Sequence, residues 1–573
     1  MKAIRSLVFA AVLAVPVVAT VARAQEPADL VVVNGVVHTM DPAAPRAEAF
    51  AVRDGAIVAV GASAEIAARF AGAEVLDLGG RSVIPGLIDA HGHVMGLGRA
   101  LRTLDLVGTR SAEAVAGLVE EVAATRPADA WITGRGWDQN DWERKEFPSH
   151  ELLDRAAPQH PVWLTRVDGH AGWTNARAME LAGITRETPD PDGGRIERDA
   201  AGNPTGVFVD NAQALVATAI PEPDDAEREA RLAAAQERIL EVGLTGVHDM
   251  GVNQSDAEVY RRWAEDGRLV FRAVVYLGSD RETLDWWDAG AWTPPPGDEP
   301  RLLVRGVKIY ADGALGSRGA ALLAPYSDDP GNVGLLVTPA DSMRALVREA
   351  LVMGLQPAIH AIGDRGNRVA LDAIEVWMTS DPRPSLEGMP PPLNPELTDR
   401  LAPRIEHVQV VALEDIPRFA ELGITASVQP THATSDMYWA EDRVGPDRIQ
   451  GAYAWRRLRD AGAALACGSD FPVENPNPFH GLYAAVTRQD QEEWPEGGWR
   501  PGERMTREEA LACFTIEAAR AARLDGEVGS LSPGKRADFL VLDRDYFTAP
   551  EAEIWKIRVL RTVVDGVTVF EAR

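Results

Sequence analysis

From about residue 83 to residue 529, short apolar runs alternate with longer stretches of helical periodicity. Eight runs stand out, at 84–89, 244–249, 270–276, 303–310, 356–360, 403–407, 424–429 and 464–470. A strand covered on both faces has no polar alternation, so brief continuous apolar runs separated by helical segments predict βα units around a parallel sheet. Eight such units in one domain predict an α/β fold, a (β/α)8 barrel of the TIM type, over 83–529. Such a barrel builds its site at the carboxyl ends of its strands.

The two ends of the chain have a different pattern. Apolar stretches at 30–39, 49–61 and 559–570 are interrupted by Asn34-Gly35, Asp54-Gly55 and Asp565-Gly566, which are hairpin signals. A further strand at 537–543 lies next to the last of them. The simplest arrangement is a small β-sandwich domain made jointly from 25–82 and 530–573, so that the termini meet. The segment 131–221 fits neither pattern and is rich in Trp, Asp, Gly and Pro, which places it as an insertion over the barrel mouth.

Residues 1–24 carry Lys2 and Arg5 ahead of an apolar run, then Ala22-Arg23-Ala24. This is the form of a cleavable export signal, so a periplasmic or secreted protein is expected. The run is short for a transmembrane helix. The chain of 573 residues has a net charge of −28, which argues against nucleic acid or an anionic membrane as a partner. A small-molecule substrate is the expected partner, with homo-oligomer formation left open. Cys467, in a strand-like run, and Cys513, in a helix-like one, read as separate small core residues.

The strand ends supply the chemistry. His91 and His93 close the first run, Lys308 belongs to the fourth, His360 closes the fifth, His407 the sixth and Asp470 the eighth. Neutral imidazoles and a carboxylate gathered at one rim suit a divalent transition metal. Lys308 is the odd member, because an ammonium repels a cation. Yet only five of the 58 basic residues are lysine, so a lysine inside an apolar strand suggests an amine that loses its proton on burial. A neutral amine can take up carbon dioxide as a carbamate, an anionic ligand with two oxygens.

Several segments together resemble the amidohydrolase superfamily, and within it the amidohydrolase 3 branch with N-substituted formamide deformylases and related exported hydrolases. They are Pro85-Gly86-Leu87-Ile88-Asp89-Ala90-His91-Gly92-His93, Gly134-Arg135-Gly136-Trp137-Asp138, Asp168-Gly169-His170, the run 308–318, His360-Ala361-Ile362-Gly363-Asp364, Arg404-Ile405-Glu406-His407, Gly468-Ser469-Asp470 and the run 529–538. The resemblance covers nearly the whole chain after the leader. It implies two divalent ions, with zinc expected: His91, His93 and Asp470 on one, His360 and His407 on the other, and carboxylated Lys308 with a hydroxide between them. Asp470 would be the catalytic proton acceptor. A one-metal arrangement would use His91, His93, His360 and Asp470, leaving Lys308 and His407 as polarising groups, and both arrangements stay open.

Substrate-facing candidates are Trp137 and Asp138 in the insertion, His170, and Arg318 beyond the fourth strand, each with a structural role as its alternative. Asp312 and Asp364 read as groups orienting ligands. The expected activity is hydrolysis of an amide-type C–N bond in an N-formyl or N-acyl amine. The alternatives are an esterase, lactonase or carbamate hydrolase using the same ions, or a metal-retaining binding protein without turnover.

Overall fold

The computed structural model describes residues 26–139, 142–166, 171–191, 194–294, 301–316, 318–378 and 401–573. The leader at 1–24 lies outside the described residues, as does His170. Among the described residues no helix is long and apolar enough to cross a membrane.

Eight parallel strands form one sheet in chain order: Leu87–Gly92, Leu244–Val252, Arg272–Gly278, Leu302–Tyr310, Gln356–Ala361, Arg404–His407, Thr425–Val428 and Ala464–Cys467. Each coincides with one of the eight apolar runs. The first and eighth strands meet at their carboxyl ends, where Asp470 N donates to His91 O (2.7 Å) and His93 N to Phe471 O (2.8 Å). The buried Asp89 carboxylate strengthens this seam by accepting from Ser469 N and, at 2.6 Å, from Ser469 Oγ. Helices outside the sheet start on side chains that satisfy their free N–H groups: Asp224 caps Asp225–Glu241, Asn253 caps Gln254–Glu265 and Asp280 caps Arg281–Asp288.

The first apolar run is shared between two sheets. Ser82–Pro85 pairs with Phe539–Leu542 from the far end of the chain, and only after Gly86 does the chain enter the barrel. A Cβ at Gly86 would lie 2.2 Å from Thr245 Oγ1, so the crossing needs glycine. The terminal strands form a four-stranded and a six-stranded sheet, the latter combining Val36–His38, Arg46–Ala47 and Ser82–Pro85 with the strands between 539 and 571. Val32, Phe50 and Val52 pack with Val37, Phe539 and Val563 between them. Asp54-Gly55 and Asp565-Gly566 turn antiparallel pairs as expected. Asn34-Gly35 does not: Leu30–Val33 pairs within the four-stranded sheet and Val36–His38 within the six-stranded one, so this dipeptide moves the chain from sheet to sheet. A two-residue turn signal reports the turn, and the partners of the strands are set by tertiary packing.

The insertion has a six-stranded sheet of its own, running from Leu104–Asp105 to Pro204–Asp210. It therefore starts well before residue 131, because its first strand is a two-residue segment too short to show a period. The two cysteines correct the sequence reading: Cys467 and Cys513 form a disulfide, with Cα atoms 5.1 Å apart. The helix Arg507–Cys513 returns against the last barrel strand and buries both residues fully, a contact that their separation of 46 residues conceals.

Candidate metal centre

The seam places Asp470 beside the two leading histidines. Asp470 Oδ1 lies 3.1 Å from His93 Nε2 and 3.5 Å from His91 Nε2. His91 is fully buried on its strand, whereas His93 stands at the N-cap position of the helix Val94–Arg102. Gly92 serves this approach by its lack of bulk, since a Cβ there would sit 2.5 Å from the Phe471 ring.

The far ring nitrogens decide what this arrangement can hold. His93 Nδ1 lies 2.8 Å from Met250 O, a pure acceptor, and His91 Nδ1 lies 2.7 Å from the Glu406 carboxylate. Each Nδ1 must therefore carry the proton, which leaves a lone pair on each Nε2 in the neutral ring. In the neutral rings both lone pairs are turned toward the Asp470 oxygen. Burial holds His91 well below the ordinary imidazole pKa and, reinforced by Lys308, holds His360 down at about 3. Neutral imidazoles turned Nε2-inward on a carboxylate are the donor set of a divalent cation, with the Nδ1 partners fixing ring orientation. The residues fit such an ion.

Glu406 is held in turn. Arg404, fully buried, donates to both Glu406 oxygens (2.9 and 3.1 Å), to Ala90 O, to Ser427 Oγ and to Tyr276 Oη, and lies 2.8 Å from His248 Nδ1. One guanidinium thus ties five barrel strands to the group that orients His91. Neither Glu406 nor Arg404 was assigned a role from the sequence, because a charge pair two residues apart on a strand has no distinctive spacing.

The remaining candidates lie around the same rim. Lys308 Nζ is 2.9 Å from His91 Nε2, and burial lowers its pKa to about 8. The ring centroids of His91 and His407 are 4.7 Å apart, and those of His360 and His407 are 4.4 Å apart. His407 Nδ1 is 2.9 Å from Gln429 Oε1. Tyr310, partly exposed, places its ring 5.4 Å from that of His360. His432 was missed by the sequence reading although it comes three residues after the seventh apolar run. It stacks 6.0 Å from His407, and its Nε2 lies 3.8 Å from Asp470 Oδ2. Two groups of ligand atoms meet here, His91 with His93 and Asp470, and His407 with His432 and Asp470.

A family model described as the amidohydrolase family matches residues 74–570. The chain belongs to that family. It is 34% identical to the YtcJ protein of Bacillus subtilis (strain 168), covering 94% of this chain and 98% of that one. It is 31% identical to the N-substituted formamide deformylase of Arthrobacter pascens, covering 95% and 98%. Among solved structures, a metal-dependent hydrolase from Pyrococcus furiosus superposes with a TM-score of 0.75 at 30% identity, covering 91% of this chain and all of that one. The protein is a metal-dependent hydrolase with an amidohydrolase barrel.

The other substrate-facing candidates of this amidohydrolase are occupied elsewhere. Trp137 is fully buried in the insertion, its Nε1 donating to Leu164 O (2.8 Å) and its ring against Trp142, Phe147 and Trp173. Asp138 accepts from Arg166 at 2.8 Å. Arg318 makes a two-pronged ion pair with Asp328, at 3.2 and 2.8 Å. Asp312 accepts from the backbone N–H groups of Ala321, Ile362 and Gly363, bracing the loop after His360, and burial raises its pKa to about 7. Asp364 accepts from Leu323 N and Arg365 N.

Proposed function

We propose that this amidohydrolase hydrolyses the amide C–N bond of an N-formyl or N-acyl amine after export to the periplasm or medium. The observation that carries the reading is the convergence of the His91 and His93 Nε2 lone pairs on Asp470. When bound, a divalent pair, with zinc the expected species, supplies Lewis-acid polarisation of the carbonyl and a water acidified toward neutrality. Asp470 accepts the proton of the attacking water and passes it to the leaving nitrogen. Lys308, its amine driven toward the neutral form by burial, is the group able to become a carbamate. Tyr310 and Val473, whose N–H donates to Asp470 O at 2.9 Å, are exposed apolar side chains beside the ligands and suit an apolar N-substituent. The near full-length similarity to an N-substituted formamide deformylase supports this substrate class. The Cys467–Cys513 disulfide supports an oxidising compartment, in keeping with the leader-like residues 1–24. A small molecule is the partner in this reading.

The test is hydrolysis of N-formyl and N-acetyl amines against matched esters and lactones, before and after chelation. Turnover of the amides, lost on chelation and restored by zinc, is the expected result. Ester or lactone turnover without amide turnover would replace the reading with the esterase or lactonase alternative.

A further inference from the structure

His432 is the histidine at this rim whose position the chemistry above does not use. It lies on the helix Pro430–Asp436, which follows the seventh barrel strand, and so comes from a part of the barrel that contributes no other ligand candidate. Its side chain is 12% exposed, and its Nε2 is buried without a hydrogen-bond partner among the described residues. A buried ring nitrogen left without a partner costs free energy unless something outside the protein satisfies it. His360 Nε2 is buried and unpartnered in the same way. The two carboxylate oxygens of Asp470 divide the surrounding rings between them: Oδ1 faces His91 and His93, and Oδ2 faces His432.

We propose that His432 is a direct ligand of the second ion, and that Asp470 serves both ions, Oδ1 toward His91 and His93 and Oδ2 toward His407 and His432. This rests on the metal-dependent reading above and adds to it a ligand from the seventh strand's helix and a shared carboxylate. The near-parallel stacking of His432 on His407, with 17° between the ring planes, keeps the two rings side by side so that both can turn an edge toward Oδ2. Gln429 Oε1, which fixes His407 Nδ1, sits three residues before His432 on the same turn. One short segment therefore orients one ligand and supplies another.

The test measures metal binding, independently of turnover. Wild-type protein, His432→Ala, His432→Asp and His91→Ala are stripped, reloaded with zinc or cobalt, and assayed for ions per chain and for affinity against a chromogenic chelator. Far-UV circular dichroism and thermal melting confirm that each variant is folded. The proposal expects about two ions in the wild type and about one in His432→Ala, with affinity at the weaker site falling at least tenfold. It also expects a changed visible spectrum of the cobalt protein and partial recovery of the second ion in His432→Asp, because a carboxylate can replace the imidazole as ligand. Two ions of unchanged affinity in His432→Ala, or a single ion in the wild type, overturn it. No bound ion in the wild type would instead overturn the metal-dependent reading, and with it this proposal.

Discussion

The two ends of the barrel place similar groups under opposite conditions. At the amino end, Arg272 at the start of the third strand donates to both oxygens of Asp538 (2.7 and 3.0 Å) and also bonds Asp565, which joins the barrel to the terminal sheets. Arg301 and Arg536 bond the same Asp565, so the buried anions there are covered by cations and N–H donors. At the carboxyl end, Asp470 faces the Nε2 atoms of His91 and His93, whose Nδ1 atoms are bonded elsewhere, and the Nε2 atoms of His360 and His432 have no hydrogen-bond partner among the described residues. Buried polar groups that are fully paired hold a structure together, whereas a cluster left electron-rich is built for something the protein alone does not supply.

Substitutions at the two ends should therefore separate catalysis from stability. The largest effect is expected from Asp470→Asn, which preserves shape and removes the charge and basicity. Its kcat/KM for a confirmed substrate should fall by about 10²–10⁴-fold, the range for loss of a positioned acid–base group, with the melting temperature little changed. Retention of near wild-type turnover would remove Asp470 from the proton transfer. Arg272→Ala should do the reverse. Asp538, 5% exposed, would lose its cation, at a cost of about 3–5 kcal/mol for breaking a buried pair. The expected readout is a lowered thermal midpoint with unchanged ions per chain and unchanged activity per folded molecule. A parallel loss of metal would show that the two ends are coupled.

The sequence exposed the barrel because all eight strands lie in short continuous apolar runs separated by helical stretches, and it pointed to six rim residues because each lies at or near the end of such a run. His432 escaped because it sits on the helix after its strand, where no strand end marks it. Glu406 and Arg404 escaped because a strand residue pointing into the barrel interior has the same local sequence whether or not a ligand lies above it. The disulfide and the two-residue strand Leu104–Asp105 are products of contacts across dozens of residues, which periodicity does not carry. In the sequence Trp137 is open between a pocket wall and a structural role, and in the structure it packs fully buried against three other rings of the insertion.

Lys308 offers the finest test of the contrast, because its amine lies 2.9 Å from a candidate metal ligand, His91 Nε2, at the carboxyl end of the barrel. Burial is the main cause that brings it from 10.5 down to about 8, opposed by Asp470 and Glu406 and reinforced by Arg404. In the metal-free protein between those two values, the unfolded chain binds a proton at this lysine that the folded chain does not. Stability should therefore rise with pH through that window. Below about pH 8 the folded form must carry the buried ammonium, and the penalty is then complete. Lys308→Met keeps the bulk and removes the proton, so its thermal midpoint should exceed the wild type's at pH 7 and converge with it above pH 10. The difference should be small, on the order of 1 °C per kcal/mol for a chain this long. If the two proteins melt in parallel across the whole range, the amine is not held near neutrality by burial. An amine that stays protonated is not poised to take up carbon dioxide.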